Sequence, residues 1–210
     1  MPLHTAKLLD RRTLLALVLA AASVLALAHA QAAFDLVQLM RTLAQVKAGE
    51  ASFTERRTVA MLDRTLESSG RLSFEAPDSF VRETLKPRRE RVAVAGNNVT
   101  MSIGSRSRTV PLDSMPEAAI IMEAIRGTLT GNREAIERHF TAGVSGTPQR
   151  WLLELKPIEP RLRELVVSVR VAGANALLRE VTVTMSDGDS SVMTIEPLAA
   201  AASKPASAAS

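Results

Sequence analysis

Gly70-Arg71-Leu72-Ser73-Phe74-Glu75-Ala76-Pro77-Asp78-Ser79-Phe80 alternates apolar and polar side chains along a run that a proline then breaks. A period of two is that of a strand with one buried face and one wetted face, and Pro77 marks its end. Upstream, Ala51, Phe53 and Val59 alternate with polar residues in the same way. Downstream, further short strands are expected over Phe80 to Leu85, Arg91 to Ala95, Val99 to Ile103 and Arg106 to Val110. Gly96-Asn97-Asn98 and Gly104-Ser105 supply tight turns between them, which makes this half an antiparallel meander.

Helical periods flank the meander. Phe34, Leu36, Val37, Met40, Leu43, Ala44 and Val46 recur at helical spacing, with Gly49 as the expected stop. After the meander, Ser114 and Glu117 fit a capping box, and Ala118, Ile121, Met122, Ile125 and Leu129 share one helical face. Ile120 and Ala124 widen that face, and Gly127 is expected to end or loosen the helix. A short helix from Arg133 to His139 leads into a second run of strands: Phe140 to Val144, Trp151 to Lys156, Val166 to Val171, Leu177 to Met185 and Ser191 to Glu196. Asp187-Gly188-Asp189 forms the last hairpin turn. Helix, meander, helices, meander predicts an α+β fold with one curved antiparallel sheet of about eleven strands. Two or three helices are too few to fill the concavity of such a sheet, so a cavity between sheet and helices is expected.

The ends of the chain read differently. Lys7, Arg11 and Arg12 precede an apolar run from Leu14 to Leu27, and Ala28-His29-Ala30 places small residues where a signal peptidase reads. The run is shorter than the ~20 residues a membrane span needs, so residues 1–30 are expected to be a cleaved signal peptide and the mature protein to be soluble in the periplasm. Residues 198–210 are almost wholly Ala and Ser and are expected to form a disordered tail. The folded domain is placed at 31–197.

Composition removes several classes of function. Of the 210 residues none is cysteine and three are histidine, and His4 and His29 fall within the signal segment. Thiolate metal sites, cysteine nucleophiles, disulfides and a lipidated N-terminal cysteine are thereby excluded. His139 is the one imidazole left, six residues from Ser145, and no G-x-S-x-G elbow accompanies it, so no hydrolase and no other enzyme is expected. Asp187, Asp189 and Glu180 read as a hairpin turn and an outward strand residue rather than a calcium site. No G-x-x-x-x-G-K motif cradles a phosphate, and no metal or cofactor is expected. Aromatic residues at 3% are too few for base stacking, so nucleic acid is not expected as a partner. The cluster Lys86-Pro87-Arg88-Arg89-Glu90-Arg91 is read as a solvated turn rather than an anion-facing patch.

Ala51-Ser52-Phe53-Thr54-Glu55 after an opening helix resembles the Ala-Ser-Phe-Thr-Gln segment of LolA-type outer-membrane lipoprotein carrier proteins. Gly70 to Phe80 is similar to that family's glycine, apolar alternation, proline and nearby phenylalanine, and Pro87 and Val94-Ala95-Gly96-Asn97 fall where the family has a proline and a turn. The resemblance runs over about Phe34 to Pro197. It implies an unclosed β-barrel of eleven strands with an N-terminal helix and a central helical lid. The cavity would hold the acyl chains of lipoproteins, taken from an inner-membrane exporter and passed to an outer-membrane acceptor. One departure stands out: the family commonly has an arginine before the proline matched by Pro77, which takes part in holding the lid closed, and Ala76 stands there. The cargo therefore stays open between a lipoprotein and another acyl-lipid, such as a glycolipid or pigment lipid. A periplasmic lipoprotein-binding sensor on the same fold is the other alternative. The protein is expected to act as a monomer.

The expected acyl-binding residues follow from the two periods. Phe53, Leu72, Phe74, Phe80, Met101, Trp151 and Leu153 alternate toward one face of their strands. Ile121, Met122, Ile125 and Leu129 come from the helix that would cover it. Methionine and aliphatic side chains make adaptable walls for flexible chains.

Overall fold

In a computed structural model the described residues are 34–62 and 64–198. The expected signal peptide lies outside them, as does the expected tail apart from Leu198, whose N–H bonds the Glu50 carbonyl.

The chain starts with α1 (Leu36–Leu43), capped by the Asp35 carboxylate accepting from the Gln38 N–H at 2.9 Å. The helix ends at Ala44, not at Gly49. Gly49 already lies in β1 (Ala48–Val59). The first meander continues through β2 (Arg64–Glu75), β3 (Ser79–Lys86), β4 (Glu90–Ala95), β5 (Asn98–Ile103) and β6 (Arg106–Pro111). Gly96 and Gly104 turn these hairpins at φ of 55° and 59°, where a Cβ is disfavoured. The Lys86 to Arg91 cluster forms the turn from β3 to β4, with Arg88 paired to Glu90 at 2.6 Å.

The central helix α2 (Pro116–Thr130) corrects two expectations. Ser114 does not cap it: its hydroxyl donates back to the Pro111 carbonyl at 2.6 Å, and Pro116, whose fixed φ suits the first helical position, opens the helix. Gly127 does not end it either. There the absence of a Cβ lets the Ile136 side chain of α3 (Arg133–His139) pack against the backbone, and the helix stops at Gly131 with φ of 63°. Asn132 then caps α3 by accepting from the Ala135 N–H at 3.0 Å.

The second meander is β7 (Phe140–Thr147), β8 (Arg150–Pro157), β9 (Val166–Ala174), β10 (Leu177–Met185) and β11 (Ser190–Pro197). A one-turn helix α4 (Pro160–Arg163), not expected from the sequence, links β8 to β9. All strand pairs are antiparallel, in the order β6-β5-β4-β3-β2-β1-β11-β10-β9-β8-β7. The open eleven-stranded antiparallel sheet is as expected, and the described residues hold four helices where two or three were expected. The chain begins the sheet at its centre, walks to the β6 edge and resumes at the β7 edge. That jump between the two edges is made by α2 and α3, which is why a helix spans the concave face.

Two apolar clusters lie under the helices. In one, Leu39, Met40 and Leu43 of α1, Ile120 and Ala124 of α2 and Ile136 of α3 pack on Trp151, Leu153, Leu155, Val169, Val171 and Val181. In the other, Phe74, Phe80, Val94, Val99 and Leu112 gather beneath Ala118, Met122 and Ile125 of α2. The wide apolar arc of α2 thus serves two surfaces at once.

Candidate functional site

Between the two clusters the sheet and α2 line a half-open cavity of about 550 Å³, within the size range of small-molecule sites. Its wall from the first meander is Leu72, Phe74, Phe80, Val92 and Val94, and from the second Leu178, Val181, Val183, Met193 and Ile195. Ile121, Met122, Ile125 and Leu129 form its roof. Leu72, Met193, Ile195, Ile121, Met122 and Ile125 are only half-buried, so aliphatic surface faces the empty space rather than other side chains. An apolar occupant would remove that surface from water at about 25 cal/mol per Å².

Seven of the expected residues therefore meet at this cavity: Leu72, Phe74, Phe80, Ile121, Met122, Ile125 and Leu129. The other four do not line it. Trp151 and Leu153 are 2% and 0% exposed in the cluster that α1 fills, and the Trp151 indole N–H donates to the Asn175 carbonyl at 2.9 Å. Gly173 opposite Trp151 leaves room for the ring. Met101, on β5, packs against the second cluster beyond Val92. Phe53 faces the same side of β1 as Ala51 but lies beneath the Arg82 guanidinium, 4.7 Å above its ring, and Arg82 takes its place on the cavity wall.

Charged residues on the wall are the part of the site that sequence periodicity missed. Glu55, Arg57, Arg82 and Asp189 all line the cavity. Arg82 donates through Nη2 to Glu55 Oε2 at 2.6 Å and to Ser68 Oγ at 3.1 Å, and the Ser68 hydroxyl meets the same carboxylate at 3.2 Å. Arg57 donates to Asp189 Oδ2 at 3.0 Å, and the Ala60 N–H donates to Asp189 Oδ1 at 3.1 Å. The Arg57 hydrogen bond, followed by that of Ala60, holds the Asp189 carboxyl below its ordinary range. The period-two pattern of β1 carried the signal: Ala51, Phe53, Glu55 and Arg57 are consecutive inward positions that pass from apolar to charged.

The helix-covered end is fastened by α2 itself. Arg126 donates to the Gly96 carbonyl at the β4–β5 turn at 2.8 Å and to Glu123 at 2.9 Å. Ala76 packs against the cluster under α2 and has no polar group to offer, so at this end the polar tie runs from helix to sheet.

Comparison with known proteins adds three findings. A sequence model of the family described as outer membrane lipoprotein carrier protein LolA-like matches residues 28–210. No curated protein matches the chain. Among solved structures, it is similar to a LolA superfamily protein from Nitrosomonas europaea at 9% identity and a TM-score of 0.41, covering 78% of this chain and 92% of that one. It is also similar to the lipoprotein LppX of Mycobacterium tuberculosis, at 9% identity and 0.39, with 77% and 93% covered. LprF of Mycobacterium bovis gives 12% identity and 0.36, with 77% and 91% covered.

Proposed function

Given that the chain belongs to the LolA-like outer membrane lipoprotein carrier protein family, we propose that it is a non-enzymatic carrier holding the acyl chains of a lipoprotein or related acyl-lipid. The observation that carries this reading is the aliphatic cavity between the sheet and α2. A water-soluble carrier meets a definite physical need. Each buried CH₂ is worth ~0.8 kcal/mol, so a long acyl chain resists leaving a membrane and two or three chains make unassisted escape negligible. The signal-like segment ending at Ala28-His29-Ala30 supports export and cleavage near Ala30, with the carrier working in the periplasm. Its route would run from an inner-membrane exporter to an outer-membrane acceptor. No helix among the described residues is long and apolar enough to cross a membrane.

A carrier gives up its cargo, whereas a sensor keeps it. The test is transfer of a fluorescent diacyl lipid from donor vesicles, across a protein-permeable membrane that holds the vesicles apart, to acceptor vesicles. The purified protein is expected to raise the transfer rate in proportion to its concentration. Stoichiometric binding with no transfer would contradict the carrier reading and favour a sensor.

A further inference from the structure

The cavity has two chemically different ends. The side chains of α2 pack over Phe74, Phe80 and Val94, and Arg126 anchors the helix at Gly96. Along β1 the wall then runs from Ala51 to Glu55, four residues and about 13 Å further on. Ser68 stands directly opposite Glu55 on β2, and Ser191 opposite Arg57 on β11. At this end the floor is Glu55, Arg82, Arg57 and Asp189 rather than leucine and phenylalanine.

Two properties of this cluster point to a ligand. Taking an ion pair out of water is costly, and a purely structural role in an apolar wall is served as well by aliphatic side chains. Here the Glu55 and Arg82 side chains are only 15% and 33% exposed, yet face the cavity. Among the described residues Arg82 makes its hydrogen bonds through Nη2, and a guanidinium carries five N–H donors, so donors remain for an occupant. The second property is charge balance. Each guanidinium is matched by a carboxylate, at 2.6 Å for Arg82 and Glu55 and 3.0 Å for Arg57 and Asp189. The surface offers donors and acceptors together with no net charge, which favours a neutral polar group over an ion. Glu50 and Glu117, near Ala51 and in the first turn of α2, add no positive charge that would attract an anion.

We propose that this end of the cavity is a head-group subsite for a neutral, hydroxyl-bearing acyl lipid, whose chain lies toward α2. The proposal rests on the acyl-binding reading of the cavity. Arg82 donates to the ester or hydroxyl oxygens of the head, and Glu55 accepts from its hydroxyls.

The test displaces a bound fluorescent fatty-acyl probe with three ligands of one chain length: 1-lauroylglycerol, methyl laurate and laurate. The first two are neutral and differ in their hydroxyls. Wild-type protein is expected to bind 1-lauroylglycerol about tenfold more tightly than methyl laurate and more tightly than laurate. In Arg82→Met, shown to be folded by circular dichroism, the preference over methyl laurate should fall to within about threefold. Glu55→Gln, of the same size as the natural residue, gives the same expectation and serves if Arg82→Met does not fold. Equal affinity of the wild type for the two neutral ligands, tighter binding of laurate, or an unchanged preference in a folded variant would overturn the subsite and leave the acyl-binding reading standing. Failure of the probe and all three ligands to bind would overturn both.

Discussion

Ile125→Asp is expected to abolish most acyl-probe binding while leaving the protein folded. Ile125 hangs from the middle of α2 into the cavity and is half-buried, so a carboxylate there is hydrated in the empty protein and loses that hydration only when a chain fills the space. Burying an unpaired charge against methylenes costs more than about 3 kcal/mol, and that loss lowers affinity by upward of about a hundredfold. Ile121→Asp acts in the same direction, and because Ile121 packs against the cluster filled by α1 and Ile125 against the cluster under α2, folding is checked for both variants. Glu134→Ala, on the exposed side of α3, is the control and should bind as the wild type does. The measurement is fluorescence titration after circular dichroism. Equal binding by folded Ile125→Asp and wild type would remove α2 from the site.

Trp151→Ala should show the opposite pattern. Trp151 is 2% exposed, does not itself line the cavity, and anchors its indole N–H on the Asn175 carbonyl. Deleting a buried tryptophan leaves a void and an unpaired carbonyl, a cost of about 3–5 kcal/mol. Urea unfolding is expected to show that loss, whereas the fraction still folded without urea should bind the acyl probe within about twofold of wild type. Trp151→Phe keeps most of the volume and should fall between. A large loss of affinity with little change in stability would place Trp151 at the ligand after all.

These two residues mark where the sequence was legible and where it was not. Alternation put Phe74 and Trp151 on the inward faces of their strands, and both are inward. It could not say what lies opposite, because that is decided by distant chain: α1 fills the space over β8, while α2 leaves a cavity above Ala51 of β1 and Leu72 of β2. Hence seven expected residues line the cavity and Trp151 and Leu153 do not. The strands of the first meander were legible because glycine turns at Gly96 and Gly104 punctuate short alternating runs. Helix ends were harder. Gly127 looks like a stop, yet its role is a close approach of Ile136, and the true stop is Gly131, where the backbone turns left-handed. The charged floor was hidden by the same reasoning that found the apolar wall. A search for aliphatic periodicity passes over Glu55 and Arg82, although both hold inward positions.

The central claim is that the cavity under α2 holds acyl chains. Its most direct measurement is mass spectrometry of the organic extract from the exported, purified protein, with lipid quantified against protein. The account predicts an acyl lipid at close to one molecule per protein in the wild type and its loss from folded Ile125→Asp. Wild-type protein that carries no acyl lipid and takes none up from added vesicles, or an Ile125→Asp extract with the wild-type lipid content, would contradict it.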